Sequence, residues 1–249
     1  MHDQESRRAF LSLAGAGAVL AACGGEQRSG QGPAAPSTTT NAGQPLKEDK
    51  GEEVSATEDL MREHGVIRRV LVVYRETSAR LRVKPGSVVP DALQKAAKLI
   101  RTFGEDYHEK QLEEASIFPA LTKGSGPLVG VVNTLIAQHQ RGREITDYVL
   151  AVTQKTISTQ SAEPLSRTLE AFARMYEEHA ALEDTLVFPA WKKALSPKEL
   201  DEMDDRFEEI EHRTFGKDGF DGAVEQVAAI EKTLGIDLTS MTAPPPPKP

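Results

Sequence analysis

The 249-residue chain carries a single cysteine, Cys23. With one thiol, no internal disulfide can staple the fold and no thiolate cluster can hold a metal. Aromatic residues are scarce at 5% and glycine is modest, a composition that suits helices. Apolar residues make up 39%, enough for one sizeable domain plus tails. Basic residues are outnumbered, 30 Lys and Arg against 38 Asp and Glu, and the formal charge of −8 leaves no electrostatic footprint for nucleic acid. The apolar run from Leu11 to Ala22 is too short for an ordinary membrane span. A nucleophile–base pair, a phosphate loop and a dinucleotide fingerprint are also missing, so hydrolytic and dinucleotide-dependent chemistry find no support.

Both ends of the chain read as non-domain sequence. Ser6-Arg7-Arg8-Ala9-Phe10-Leu11 is a twin-arginine pattern, and the apolar run behind it ends in Leu20-Ala21-Ala22-Cys23-Gly24, which resembles the bacterial lipobox. Residues 1–23 are therefore expected to be an export signal, with Cys23 lipidated and left as the new first residue. Twin-arginine export carries proteins already folded, often with a cofactor in place, and the product would sit on the membrane of the cell envelope. Residues 24–53, rich in Gly, Pro, Ser, Thr, Gln and charge, read as a disordered tether. Residues 237–249 form a Pro-rich tail ending in Ala243-Pro244-Pro245-Pro246-Pro247-Lys248-Pro249.

Between them the apolar spacing predicts four long helices in residues 54–195. The first spans about 55–84, opens with the capping box Ser55-x-x-Glu58, and carries Leu60, His64, Ile67, Leu71, Tyr74 and Leu81 on one stripe. The second, about 90–118, presents Leu93, Ala97, Ile100 and Gly104 before His108, and Pro119 bends or ends it. The third, about 127–155, aligns Leu128, Val132, Leu135, His139, Gly142 and Val149, with Gly142 leaving room for a close neighbour. The fourth, about 163–195, aligns Leu165, Leu169, Phe172, Tyr176, His179, Glu183 and Leu186. Short loops favour an all-α, antiparallel up-down-up-down bundle. Residues 196–236 add a helical extension: an acidic helix capped at Ser196 and running towards Arg213, a turn over 216–222, and a short amphipathic helix ending at Gly235. His212 in this extension is either a ligand or an outer-layer residue of a site, or else a helix-end imidazole beside the negative dipole end.

One stretch is written twice, as His108-Glu109-Lys110-Gln111-Leu112-Glu113 running to Phe118-Pro119-Ala120 and as His179-Ala180-Ala181-Leu182-Glu183 running to Phe188-Pro189-Ala190. In the second copy the histidine and the glutamate are four residues apart and share a helix face. In the first, Gln111 is one residue too many, which would turn Glu113 roughly 140° away from His108 in an ideal helix. A π-turn absorbs the extra residue and restores the pairing; Glu105, three residues before His108, is the competing carboxylate.

The inward set is thus His64, His108, Glu113, His139, His179 and Glu183. Imidazole and carboxylate without thiolate suit iron, manganese or zinc, not calcium or magnesium. Two symmetrically placed carboxylates can each bridge two ions, with about two histidines per ion. Tyr107 and Tyr176 are possible proton or radical partners beside it, or core residues with satisfied hydroxyls.

This pattern, with both Phe-Pro-Ala endings, resembles the hemerythrin-like or HHE cation-binding domain family over about residues 55–195. The resemblance implies a four-helix bundle holding two iron ions, bridged by Glu113, Glu183 and an oxo or hydroxo group, that binds dioxygen, nitric oxide or peroxide as sensor, scavenger or carrier. A non-redox iron or zinc buffer is the alternative, and any turnover would be peroxidase-like redox chemistry at the metal. Arg143 stands where the oxygen carriers of the family place a second histidine one turn after the first, leaving an open position that favours peroxide or nitric oxide chemistry over reversible oxygen carriage. The sequence names no protein partner.

Overall fold

The capping signal at Ser55 starts the first helix as expected: the Glu58 carboxylate accepts the Ser55 backbone N–H at 3.0 Å, and α1 runs over Ala56–Val83. The computed structural model describes residues 54–123, 126–216 and 219–247. The expectations for the export signal, Cys23 and the tether lie outside the described residues.

Pro90 takes the first turn of α2 (Pro90–Leu99), which continues without a break into a π-helical segment, Ile100–Ile117, and then into α3 (Phe118–Thr122). Next in the chain come α4 (Pro127–Val152) and α5 (Thr159–Leu182), the latter started by Ser158, whose Oγ accepts the Ser161 N–H at 3.1 Å. α5 passes through a second π segment, Glu183–Val187, into α6 (Phe188–Ala194). The Ser196–Glu199 capping box, with bonds of 2.8 and 3.3 Å, opens α7 (Pro197–Phe215), and left-handed Gly216 closes it. The last α-helix is α8 (Gly219–Leu234), and a single 3-10 turn, Leu238–Ser240, capped by Asp237, follows it at the start of the Pro-rich tail. Every regular element among the described residues is helical, and none is long and apolar enough to cross a membrane.

Several boundaries differ from the spacing-based ones. The second rod does not stop at Phe118 but continues to Thr122, and α5 and α8 each begin about four residues early, at Thr159 and Gly219. The π geometry is also more extensive than one inserted residue requires: it spans 18 residues in the first copy and recurs in the second, where none was needed to align His179 with Glu183. The end of each segment shares one feature, the proline. In both copies the phenylalanine N–H reaches back five residues, Phe118 to the Glu113 carbonyl and Phe188 to the Glu183 carbonyl. Proline has no N–H and its ring crowds the preceding turn, and a widened turn accommodates both effects so that the helix can carry on.

The core sits along the shared faces of these rods. α1 packs lengthwise on α5, α4 packs on α5 and on the first π segment, and α8 lies against α1 and α2. Leu60, Leu71, Tyr74, Leu93, Leu112, Leu135, Leu165, Leu169 and Phe172 are buried in one continuous cluster, which supplies most of the driving force for assembly. Trp191 of α6 stacks on Phe207 of α7 at 5.8 Å, attaching the C-terminal helices to the same core.

Gly142 does leave room for a neighbour, and the neighbour is a side chain: a Cβ there would overlap the Tyr176 hydroxyl and ring. Alanine would gain about 1 kcal/mol of helix propensity, but overpacking costs about 1–3 kcal/mol and would break the Tyr176 hydrogen bond to Glu109. Gly142→Ala is expected to lower unfolding free energy by about 1–2 kcal/mol, measured by denaturant titration; equal or greater stability would contradict this packing.

Candidate metal centre

Four histidines from four different rods meet in the core. His64 comes from α1, His108 from the first π segment, His139 from α4 and His179 from α5, and all four are at most 3% exposed. They form two facing pairs. Nε2 of His64 lies 3.0 Å from Nε2 of His108, and Nε2 of His139 lies 3.1 Å from Nε2 of His179.

The two repeated glutamates span these pairs. Glu113 places Oε1 3.3 Å from His108 Nε2 and Oε2 3.3 Å from His139 Nε2. Glu183 places Oε2 3.3 Å from His64 Nε2 and Oε1 3.0 Å from His179 Nε2. Each pair of imidazoles faces one oxygen from each carboxylate; Glu113, His139, His179 and Glu183 converge as four donors, and His64, His108 and Glu113 converge as three beside them. The π-turn is what allows this. It brings Glu113, five residues after His108, into the place that Glu183 reaches at four residues from His179. Glu105, the competing carboxylate, is buried but engaged elsewhere: Oε1 accepts the Thr146 hydroxyl at 2.5 Å and Oε2 lies 3.1 Å from Arg101 Nε. Burial pushes its pKa up to about 7.

An outer layer fixes the direction of every ring. His64 Nδ1–H donates to Asp184 Oδ1 at 2.7 Å, His108 to Glu63 Oε2 at 2.6 Å, His139 to Glu114 Oε1 at 2.8 Å, and His179 to Gln138 Oε1 at 2.9 Å. All four partners are acceptors, so the proton belongs on Nδ1 and the Nε2 lone pair is aimed at the centre. Arg68 pairs with Asp184, and Arg143 pairs with Glu114 at 2.5 Å and Glu109 at 3.0 Å.

Sequence reasoning missed these outer acceptors, although a signal was present. Each is the chain neighbour of a central residue: Glu63 precedes His64, Gln138 precedes His139, Glu114 follows Glu113 and Asp184 follows Glu183. One step along a helix rotates the side chain by about 100°, so each neighbour reaches sideways to a ring on another rod. The tyrosines belong to this layer too. Tyr107 donates to Glu63 at 2.8 Å and Tyr176 to Glu109 at 2.6 Å, so both hydroxyls are satisfied and burial pushes both pKa values up. His212 does not join them. It is exposed in the last turn of α7, where an imidazole faces the negative end of the helix dipole.

The donor set fits a cation. All four oxygens of Glu113 and Glu183 are buried without a hydrogen-bond partner, a state that costs several kcal/mol unless something positive compensates it. Four converging lone pairs raise the same demand. Protons can meet it in the absence of metal. Burial lowers the pKa of His139, but the Glu113 and Glu114 carboxylates outweigh it and raise the group to about 10. His64 and His108 are likewise raised against burial, by Asp184 with Glu183 and by Glu113 with Glu63. Glu183 is held well below the usual carboxylate range because His179 and His64 overcome burial. A metal ion must displace these imidazole protons.

Comparison with known proteins bears on the same residues. The model of the hemerythrin HHE cation binding domain matches residues 55–191. Uncharacterized proteins of Mycobacterium bovis and of two strains of Mycobacterium tuberculosis are each 43% identical over 236 residues, covering 93% of this chain and 88% of the relative. No solved structure matches the chain.

Two outcomes follow for metal titration. Because the folded-state imidazole pKa values are raised, their contribution to metal-free stability is full below about 6.5 and lost as pH rises through about 10 for His139. Metal loading at neutral pH should therefore release protons and tighten as pH rises, read by calorimetry in buffers of different ionisation enthalpy; a pH-independent affinity would contradict the assigned protonation. Asp184→Ala, which frees the His64 ring, should weaken metal binding by about 10–100-fold with helicity retained by circular dichroism.

Proposed function

We propose that this chain, which belongs to the hemerythrin HHE cation-binding domain family, is a non-haem di-iron protein that binds dioxygen, nitric oxide or peroxide at the cell envelope. The observation that carries the reading is the pair of buried carboxylates whose four unpartnered oxygens each face an imidazole Nε2. That arrangement supports two bridged ions in preference to one, because each carboxylate spans both histidine pairs.

The ligands in this reading are His64, His108, Glu113 and Glu183 for one ion and His139, His179, Glu113 and Glu183 for the other. The long rods α1, α2 through α3, α4, and α5 through α6 are read as an antiparallel up-down-up-down bundle, with α7 and α8 as its extension. Imidazole and carboxylate donors of this number would leave coordination open, and iron bound there would supply reversible or redox binding of small oxygen and nitrogen species. The protein's own part is to hold the four Nε2 atoms and the four oxygens in fixed directions, to exclude bulk water by burial, and to keep the outer carboxylates ready to take up or return imidazole protons. Arg143, tied to Glu109 and Glu114, is a charge partner and not a donor, so an ion held by His139 would gain no further protein ligand from that turn, which would favour peroxide or nitric oxide chemistry over oxygen carriage. The twin-arginine pattern and Cys23 support delivery to the envelope in folded form and attachment by lipid.

The test is metal content and absorption of the whole chain, purified without added metal, under nitrogen, air and peroxide. Two irons per chain are expected, with a charge-transfer spectrum that responds to air or peroxide, abolished in Glu113→Ala and retained in Glu105→Ala. Zinc in place of iron with no optical response would replace the redox reading by a metal buffer.

A further inference from the structure

The outer layers of the two halves repeat one pattern, and a single partner breaks it. His64-x-x-x-Arg68 faces Glu183-Asp184, and His139-x-x-x-Arg143 faces Glu113-Glu114. In each, the arginine grips the carboxylate that orients the histidine one turn before it. The remaining rings, His108 and His179, take their orientation from the residue preceding His64 and His139. Here the symmetry fails: the first is Glu63, a carboxylate, and the second is Gln138, a neutral amide.

We propose that the two metal positions are unequal by construction, with the ion held by His139 and His179 bound more weakly and exchanged more readily because Gln138 is the one neutral acceptor among the four. This rests on the dinuclear reading above. A carboxylate that accepts Nδ1–H raises the basicity of the opposite nitrogen, and a charge-assisted bond of this kind is roughly twice as strong as a neutral one. The distances follow the same order, from 2.6 Å at Glu63 to 2.9 Å at Gln138. Glu109 lies on the weaker side but does not replace the missing charge on His179. Its nearest approach to the centre's rings is 4.0 Å from His139 Nδ1, and its oxygens are taken by Tyr176 at 2.6 Å and Arg143 at 3.0 Å.

A second observation points to the same half. A surface groove between α3 and α4, lined by Glu114, Phe118, Val132 and Ile136, ends at the residues that wall His139. The Phe118 ring stacks on the His139 ring at 5.6 Å, and Glu114 both lines the groove and accepts the His139 proton. The groove thus brings solvent to the outer face of the residues that pack on His139.

The test is titration of the metal-free whole chain, in mild detergent under nitrogen, with cobalt(II), whose absorption reports coordination. Wild type is expected to take two ions in two steps, the second about 10-fold weaker or more. Gln138→Glu should strengthen the second step by about 10-fold and leave the first in place. Gln138 is half-buried, so a carboxylate there keeps contact with water. Independently, Glu63→Gln should weaken the first step and close the gap from the other side. Two ions entering with one affinity, or a Gln138→Glu variant whose second step does not move, would overturn the inequality and leave the dinuclear reading standing. Fewer than two ions in wild type would overturn the dinuclear reading and this inference with it.

Discussion

Four imidazole lone pairs and four carboxylate oxygens point at one another inside an apolar core, and most of the molecule's particulars can be traced to that concentration of like-signed donors. Such a cluster cannot stand alone at low dielectric. It needs positive charge at its middle, from protons or from metal, and hydrogen-bond acceptors around it to keep each ring turned the right way. The buried Leu, Ile and Phe faces of the rods hold the cluster together, so part of the hydrophobic stabilisation is offset by the cost of confining it.

The backbone shows the same constraint. Proline after Phe118 and after Phe188 would ordinarily stop a helix, and an extra residue between His108 and Glu113 would turn the carboxylate away. One device, a widened turn with five-residue hydrogen bonds, answers both. It lets each rod run on past its proline, and in the first copy it brings Glu113 to the point between the histidine pairs that Glu183 reaches at ordinary helical spacing. The outer layer then ties the rods crosswise: a residue beside one donor orients a ring on another rod, so the centre is braced by the same side-chain pairs that fix its tautomers.

Much of this was legible in one dimension. The inward histidines could be read because each falls on an apolar stripe, and the glutamates because a His-to-Phe-Pro-Ala stretch occurs twice. Charge, the lone cysteine and the absence of nucleotide motifs removed the competing classes. Boundaries were less legible where local signals conflict: Pro119 argues for a stop, yet the helix continues to Thr122. His212 shows the limit of position on a helix as evidence, since its neighbours Phe207 and Ile210 are buried while the imidazole itself is exposed.

The sequence by itself determined the all-helical character and the two families of donors, because periodicity and residue chemistry are local properties that one chain displays directly. Only the tertiary structure decided which donors share a position, which acceptor serves which ring, and that Glu113 and not Glu105 enters the centre. The physical reason is that these depend on the rotation of one rod relative to another. A single residue of helical phase moves a side chain by about 100°, and the phase is set by how the π-turns and the packed faces settle together. Asp184, Glu114, Glu63 and Gln138 were visible as letters beside the donors, but their reach across to other rods exists only once the rods are packed.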